Sequence, residues 1–404
     1  ALGVGLLSNT PGGLGVLELA CLSALTVTPP ETLVAALIAH RAIYFGLPAL
    51  LSAALLAAHE LHGRDEDCAD NDGPMPKRLR AVAGGSLPAH ANAIMKTTAR
   101  ADASLVYQGD KTILTSPCER AFLMVRQSGN TLIALGDPVG EVQHWPAVIS
   151  QFIATARHRF LAPVAYKSGA EFAGFLAAQD MGLAVQSAQE AVVNPCDFAM
   201  QGSSFRELRR KLRNADKAGV TLMLDAPGTS CTPMLQKVAA EWAISKGGER
   251  GFSMGVYERD YIARFPVVRA MLGEDCVGFL TLWQSGDGTE AGFDVMRLTD
   301  AAPDGTMHAM VARGIEWAKE LGAQRYSLCA VPFADVPEPA NPFERLLNFA
   351  NKRRPNWHGC NGLLRFKNSF RPEWEPRYTV APGILSGLTG AQDIHTVITS
   401  PKMD

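Results

Sequence analysis

Two stretches of the chain repeat one order of secondary-structure elements, and this repetition constrains the fold most. In the first, alternating apolar residues predict strands at 104–108, 112–116, 120–127 and 131–136, then a helix near 143–157, a strand at 161–167 and a helix near 169–180. In the second, a helix near 232–246 precedes strands at 277–283 and 290–298, a helix near 306–321 and a strand at 325–331. A meander, a helix and a strand form one α/β unit, so the sequence predicts an α/β (α+β) fold of two similar domains.

Residues 1–58 differ from the rest in being almost uncharged. Their only acidic and basic side chains are Glu18, Glu31 and Arg41. Residues 32–58 exceed the ~20 apolar residues that span a bilayer and predict a transmembrane helix. Pro11-Gly12-Gly13 breaks an earlier apolar stretch, which favours a kinked or re-entrant helix. We therefore expect the chain to begin inside a larger membrane domain.

Basic residues follow the predicted transmembrane helix. They are Arg64, Lys77, Arg78 and Arg80, and they place everything after residue 60 in the cytoplasm by the positive-inside tendency. The predicted organisation is the end of a membrane domain at 1–60, a linker at 61–94, a first domain at 95–225 and a second, catalytic domain at 226–404. The eight cysteines are scattered without CxxC or His-paired spacing, so we expect reduced thiols and no metal site.

The strongest local charge pattern lies in a predicted helix at 203–218, between the two repeated stretches. Ser204 and Glu207 suggest a capping box, and Gly219 ends the helix. A purely cationic stripe comprises Arg206, Arg210, Arg213 and Lys217, with Arg209 and Lys211 beside it. Like charges at i,i+4 repel each other, which favours a phosphate-bearing partner, either RNA or anionic lipid. The alternative is a solvated surface face, which is the usual role of a run of charged residues. The net charge of the whole chain, −2, does not indicate any partner by itself.

Catalytic candidates occur in the second stretch. Asp294 and Arg297 lie three apart on a predicted strand, where they point to opposite faces unless the strand ends or bulges between them. The alternative reading is a structural ion pair. Asp304 precedes a helix whose free N–H groups could bind a phosphate or carboxylate. Near the C-terminus, Arg365 and Lys367 lie outside the apolar face of a predicted helix. They are either phosphate contacts or simply the basic side of an amphipathic helix.

No nucleophile elbow, P-loop, HExxH or dinucleotide fingerprint is present. Direct transfer of an activated acyl group requires none of these. It requires positioning, a base near the attacking hydroxyl and stabilisation of the oxyanion.

Several runs resemble the multiple peptide resistance factor family. They are PGGLGVLE (11–18), HRAIYFGLP (40–48), GDKTILTS (109–116), RAFLMVRQSGNTLIALGDPVG (120–140), FRELRRKLRNADKAGV (205–220), KGGERGFSMG (246–255), FDVMRLTDAAPDGTMHAM (293–310) and LLRFKNSFRPEWEPRY (363–378). The resemblance implies two N-acetyltransferase-like (GNAT) domains joined by a basic helix and preceded by transmembrane helices. It implies transfer of a lysyl or alanyl group from aminoacyl-tRNA to phosphatidylglycerol, without a cofactor, and resistance to cationic antimicrobial peptides.

The resemblance also implies a bacterial inner-membrane, multi-pass protein with a cytoplasmic catalytic part and homo-oligomers formed through the membrane domain. The matching D-x-x-R residues, Asp294 and Arg297, are expected at the reaction centre. Arg365 and Lys367 are expected near the tRNA acceptor end or the lipid phosphate. The linking helix supplies the tRNA-binding residues Arg206, Arg209, Arg210, Lys211 and Arg213.

The chain departs from the family pattern at Ser369, where a second lysine is frequent, and at Gly359-Cys360-Asn361-Gly362, where the family has an aromatic-rich stretch. Three rival functions remain open at this point. They are a membrane-tethered acyltransferase that uses acetyl-coenzyme A, a peptidoglycan-type aminoacyltransferase, and a non-catalytic lipid- or RNA-binding module.

Overall fold

A computed structural model of the chain describes residues 29–41, 43, 46–48, 50–54, 86–230, 232–332 and 357–399. The chain divides into two compact units, Ala1–Pro74 and Met75–Asp404. In the first unit the described helix α1 is Pro30–Arg41. Among the described residues, no helix combines the length and apolar character that crossing a bilayer requires.

The transmembrane helix predicted at 32–58 is therefore not found in the described part of the chain. The continuously described part of this segment ends at Arg41, and the described residues 46–48 and 50–54 farther along the chain are also helical. The Pro11-Gly12-Gly13 segment and the basic residues from Arg64 to Arg80 lie outside the described residues.

All described strands and most of the described helices lie in the second unit. The helices are α2 (Ala89–Met95), α3 (Trp145–His158), α4 (Ala170–Ala177), α5 (Arg206–Lys217), α6 (Thr232–Lys246), α7 (Arg259–Ile262), α8 (Thr306–Glu320), α9 (Trp357–Asn368) and α10 (Ile384–Thr399). The strands are β1 (Thr112–Thr115), β2 (Ala121–Ser128), β3 (Thr131–Gly140), β4 (Ala162–Ser168), β5 (Leu183–Val193), β6 (Val220–Asp225), β7 (Val267–Leu272), β8 (Asp275–Gln284), β9 (Glu290–Leu298), β10 (Arg325–Pro332) and β11 (Glu373–Ala381).

The strands form one 11-stranded sheet in the order β1-β2-β3-β4-β11-β5-β10-β9-β8-β7-β6. In the first half β1, β2 and β3 are antiparallel, and β4, which follows α3, is parallel to β3. In the second half β6 to β9 are antiparallel, and β10, which follows α8, is parallel to β9. The repeated order of a meander, a helix and a strand predicted from the sequence is confirmed, and in each half the last strand is parallel to its neighbour.

The two halves are joined edge to edge by strands that the sequence did not reveal. β5 pairs antiparallel with both β10 and β11, and β11 pairs antiparallel with β4. The C-terminal strand β11 therefore completes the first half of the sheet. β6 precedes the predicted boundary at 225/226 and pairs with β7 of the second half. The division into two domains remains a prediction.

The strand predicted at 104–108 is wrong. Residues Ala101–Gln108 form a 3-10 helix, which ends at Gly109 with φ of 80°. Most of its side chains are buried without alternation, because the segment packs into the apolar core that also contains Phe279 of β8 and Val295 of β9. Burial rather than strand pairing thus explains its apolar residues.

One apolar core runs across both halves on one face of the sheet. It joins Phe122, Met124 and Ile133 of the first half to Phe279 and Val295 of the second. Along β2 the intervening residues Leu123 and Val125 pack on the opposite face, as strand alternation requires. This shared core fixes the position of one half of the sheet against the other.

Candidate active site

A bulge in β9 lies between the two residues expected at the reaction centre. Leu280 of β8 faces Met296, and Leu282 faces Phe293, so two steps along β8 correspond to three along β9. The backbone N–H of Val295, displaced from the ladder, donates to Thr281 Oγ1 at 2.9 Å. The extra residue reverses the alternation and brings Asp294 and Arg297 to the same side. Both side chains contact Gly255. The bulge that two residues three apart on a strand need in order to share one side is therefore present.

Asp294 is held by two donors. The Gly255 N–H donates to Asp294 Oδ1 at 2.7 Å, and the Tyr261 hydroxyl donates to Oδ2 at 2.7 Å. A Cβ at position 255 would lie 1.7 Å from Asp294 Oδ2, so only glycine fits there. Burial raises the pKa of Asp294 above its usual range, which the two hydrogen bonds oppose. The carboxylate is therefore oriented and more basic than an exposed one.

Arg297 is 7 % exposed and contacts several groups. It forms an ion pair with Glu249, and its guanidinium lies 3.9 Å from the Trp242 ring centroid. Its Nη2 also donates to the Gly255 carbonyl at 3.3 Å. Arg297 thus reaches Asp294 through Gly255, whose N–H and C=O bind one side chain each.

A buried charged pair beneath Asp294 was not singled out from the sequence. Asp110 and Lys111 form an ion pair, and the Phe252 N–H donates to Asp110 Oδ2 at 3.2 Å. Burial lowers the pKa of Lys111, and Asp294 is among the charges that act on it. In the sequence, Asp110 and Lys111 stand out only because they directly follow Gly109, in a run that resembles the family.

A second bulge, in β10, closes the other side of the site. β9 and β10 pair only over Arg325–Ser327 of β10 and then separate. Cys329 follows with φ of 66°, and its Sγ donates to the Phe293 carbonyl at 3.0 Å. Burial raises the pKa of the Cys329 thiol to about 12, so the thiol stays protonated at neutral pH. This state does not suit a nucleophile.

The sequence pattern predicted Lys367 on the outer side of its helix, and this prediction is wrong. Lys367 lies instead at the second bulge, in β10. It is 2 % exposed, and its Nζ donates to the carbonyls of Cys329 at 2.8 Å and Ala330 at 3.2 Å. The bulge leaves these carbonyls outside the β9–β10 ladder, and a buried ammonium satisfies them. Arg365, by contrast, is exposed on α9. The two basic residues therefore do not form one surface.

The cationic stripe of α5 is exposed, as predicted. Arg206, Arg210, Arg213 and Lys217 all face outward. The two flanking bases are engaged within the protein, because Arg209 donates to the Met200 carbonyl at 2.8 Å and Lys211 pairs with Asp304 at 2.6 Å.

The predicted capping box is wrong. The residue at the N-cap is Phe205 without a side-chain cap, and Glu207 pairs with Arg210 instead. The phosphate site expected at the start of α8 is not seen either. Asp304 binds Lys211 and Asn214, and the Lys211 carbonyl lies so close that a Cβ on Gly305 would be 2.0 Å from it. Helix α5 covers this helix end.

Comparisons with known proteins agree with this architecture. The family described as phosphatidylglycerol lysyltransferase, C-terminal, matches residues 92–381. A phosphatidylglycerol lysyltransferase of Bacillus subtilis is 27 % identical over 280 residues, which cover 68 % of this chain and 32 % of that protein. A lysylphosphatidylglycerol biosynthesis bifunctional protein of Mycolicibacterium vanbaalenii is 29 % identical, covering 67 % of this chain and 25 % of that protein. The chain thus spans a quarter to a third of these relatives.

Solved structures share the fold. The C-terminal domain of a putative lysylphosphatidylglycerol synthetase from Agrobacterium fabrum has a TM-score of 0.69 and 27 % identity, covering 78 % of this chain and 97 % of that one. L-PGS from Bacillus licheniformis has a TM-score of 0.68 and 24 % identity, covering 78 % and 98 %. The α/β architecture described above is common to all three.

Proposed function

The chain belongs to the phosphatidylglycerol lysyltransferase C-terminal family, and from this membership we propose that it transfers an aminoacyl group from aminoacyl-tRNA to the head-group glycerol of phosphatidylglycerol. The family match over residues 92–381 is the observation that carries the proposal. The buried, oriented carboxylate of Asp294 supports it, because acyl transfer to a hydroxyl benefits from a positioned base of raised pKa.

In the proposed reaction a glycerol hydroxyl attacks the carbonyl carbon of the aminoacyl ester. Asp294 accepts the hydroxyl proton, a new ester bond forms, and the bond between the carbonyl carbon and the tRNA ribose oxygen breaks. The proton then passes to the leaving ribose oxygen, so no covalent enzyme intermediate is needed. Binding of the substrate α-ammonium is the second role that an oriented carboxylate at this position can take.

For Arg297 we propose a positioning role. Its guanidinium binds the Gly255 carbonyl while the Gly255 N–H binds Asp294, and Glu249 holds the arginine in place. A direct contact with phosphate or a developing oxyanion, which the sequence suggested, would require Glu249 to release Arg297.

The RNA is proposed to bind along the exposed stripe of α5, with Arg365 as a further phosphate contact. Transfer of a lysyl or alanyl group would make the lipid head group more positive. We propose that the protein thereby modifies membrane charge and confers resistance to cationic antimicrobial peptides, acting at the bacterial inner membrane with its catalytic part in the cytoplasm.

The decisive experiment uses vesicles that contain phosphatidylglycerol and several tRNAs, each charged with its labelled amino acid. Label in the organic phase after lipid extraction is expected with lysyl- or alanyl-tRNA and identifies the amino acid. Label that remains in the aqueous phase with every tRNA contradicts the proposal. A parallel reaction with labelled acetyl-coenzyme A tests the rival acyltransferase.

A further inference from the structure

Lys167 stands at the point where the strands of the first half separate. β3 and β4 pair in parallel up to Leu135 and Tyr166, and Lys167 is the next residue, with φ of 60°. Its Nζ crosses to the second half and donates to the Ser253 carbonyl at 2.9 Å. Lys167 thus resembles Cys329 of the second half, which also has a positive φ just beyond the last paired residue of its strand.

The two points of strand separation face each other. β4 and β10 run in opposite directions, because each pairing from β4 through β11 and β5 to β10 is antiparallel. Tyr378 of β11 pairs with Ser168 of β4 on one side and with Gln186 of β5 on the other. On the far side of β5, Ala330 of β10 pairs with Glu190. Both strands thus end beside the middle of β5, and Lys367 binds the carbonyls of the second strand there.

The charges at this centre do not balance among the described residues. Glu190 is bound by Arg377 at 2.6 Å, and Asp294 is bound by Tyr261 and Gly255. Lys167 and Lys367 have only backbone carbonyls as described partners, and each ammonium retains at least one further N–H. Burial and the charge of Lys167 lower the pKa of Lys367 to about 8, although at pH 7 the group is still largely protonated. Two neighbouring cations without a carboxylate favour an anionic ligand.

We infer that Lys167 and Lys367 jointly bind the phosphodiester of the glycerophospholipid head group whose hydroxyl is acylated. This inference rests on the proposed function. Lys167 binds the carbonyl of Ser253, two residues before the Gly255 whose N–H binds Asp294. Lys367 binds the carbonyl of Cys329, whose thiol donates to the carbonyl of Phe293, the residue before Asp294. Short chains of hydrogen bonds thus link both lysines to the segment that carries Asp294. An extended glycerol head group spans about 6 Å from phosphorus to the terminal hydroxyl oxygen, given bonds of about 1.5 Å. In the inferred complex the hydroxyl end of the head group lies at Asp294 and its phosphate end at the two ammonium groups.

The lipid is favoured over the RNA because of burial. The exposed arginines of α5 can meet the phosphates of a bulky nucleic acid at the surface, whereas Lys367 is only 2 % exposed. A slender phosphodiester between two glycerol units suits such a buried position. A phosphate of the tRNA acceptor end is the competing outcome in the test below.

The test measures binding of glycerophosphoglycerol, the lipid head group without acyl chains, to the whole chain by calorimetry. Lys167→Met should weaken binding about 10- to 100-fold, since it removes a charged hydrogen bond. Lys167→Arg should restore part of it. Lys237→Met, at an exposed lysine of α6, is the matched control and should bind like the unmodified chain. Thermal unfolding of all variants should be similar, and glycerol without phosphate should not bind.

Steady-state kinetics supply the second readout. Lys167→Met should raise KM for phosphatidylglycerol and leave KM for aminoacyl-tRNA unchanged. Equal glycerophosphoglycerol affinity in the Met variant and the unmodified chain would overturn the inference, as would a rise confined to KM for aminoacyl-tRNA. Lys167-dependent binding in a chain that transfers no aminoacyl group would support the anion site and refute the proposed function.

Discussion

At the scale of single residues, the site is built on one glycine. Gly255 donates to Asp294 and accepts from Arg297, and the space beside its Cα is filled by the Asp294 carboxylate. Tyr261 supplies the second donor, and its own pKa is raised well above 10 by burial and by the Asp294 charge. The hydroxyl therefore remains protonated and keeps its hydrogen bond at every physiological pH.

Asp294→Asn should lower transfer at least 100-fold, because an amide can accept the Gly255 hydrogen bond but cannot act as a base. The melting temperature should change little. In the unmodified chain, activity should rise with pH through the raised pKa of Asp294, since only the carboxylate accepts a proton. Asp300→Asn, at an exposed carboxylate, is the control. Near-normal transfer by Asp294→Asn would exclude the assigned role.

Glu290 makes stability depend on pH. Burial, together with the charges of Asp102 and Glu190, raises its pKa from 4.5 to about 7. The native state thus holds a proton that the unfolded chain has released, and the stability it contributes is full below pH 4.5 and disappears as pH rises through 7. Relative to Glu290→Gln, the free energy of unfolding should fall by about 3 kcal/mol across this window.

Urea unfolding of both proteins at several pH values measures this difference. Glu274→Gln, at an exposed glutamate, serves as the control and should show no such trend. A constant difference between the native chain and Glu290→Gln from pH 4.5 to 7.5 would show that Glu290 is not protonated in the folded state.

At the scale of elements, two bulges shape the site. The bulge in β9 turns Asp294 and Arg297 to one side, and the bulge in β10 presents two carbonyls to Lys367. Neither can be predicted from a pattern of apolar residues, because a bulge depends on which residues the neighbouring strand places opposite. The alternation of apolar residues predicted the strand β9, but its register with β8 determines that Asp294 and Arg297 lie on the same side.

Thr281→Val should destabilise the protein by about 1–3 kcal/mol, since the buried Val295 N–H loses its acceptor. It should also lower kcat, because the bulge holds Asp294 in place. Thr281→Ser retains the hydroxyl and should preserve most of the activity. Denaturant titration and steady-state kinetics of the pair test both effects, and equal kcat values would separate the bulge from catalysis.

Charge reversal of Arg206, Arg210 and Arg213 should weaken tRNA binding with little change in stability, because all three are exposed. The slope of log K against log salt should become shallower by roughly 2–3, at about 0.7–0.9 for each phosphate that is no longer neutralised. The matched control reverses the exposed Lys96, Lys237 and Lys319, which gives the same net charge. Identical slopes in both triple variants would make α5 a solvated face.

At the scale of the whole molecule, the C-terminus completes the first half. β11 lies between β4 and β5, and the following helix α10 packs on β4, where Gly390 adjoins Val164. Together with the core shared by both halves, this interleaving means that neither half has a complete sheet without the other.

Residues 75–404 should therefore unfold in one cooperative transition, in which calorimetric and van't Hoff enthalpies agree. Gly390→Leu should move the whole transition to lower temperature, because a side chain there meets Val164 at 2.8 Å from its Cβ. Gly174→Ala, where no atom lies within 4 Å, should not. Two separate transitions in scanning calorimetry would contradict the coupling of the halves.

The sequence alone determined the elements with strong local patterns: the repeated meander, helix and strand, the cationic face of α5 and the D-x-x-R residues. Local spacing fixes such features. Tertiary structure decided the rest, because contacts between distant segments control it. Central strands such as β5 carry polar residues among apolar ones, a 3-10 helix can be as apolar as a strand, and Lys367 is buried only because two bulged carbonyls lie opposite it. The D-x-x-R pattern identified the Asp294 carboxylate, but only the folded chain shows that Gly255 and Tyr261 bind it.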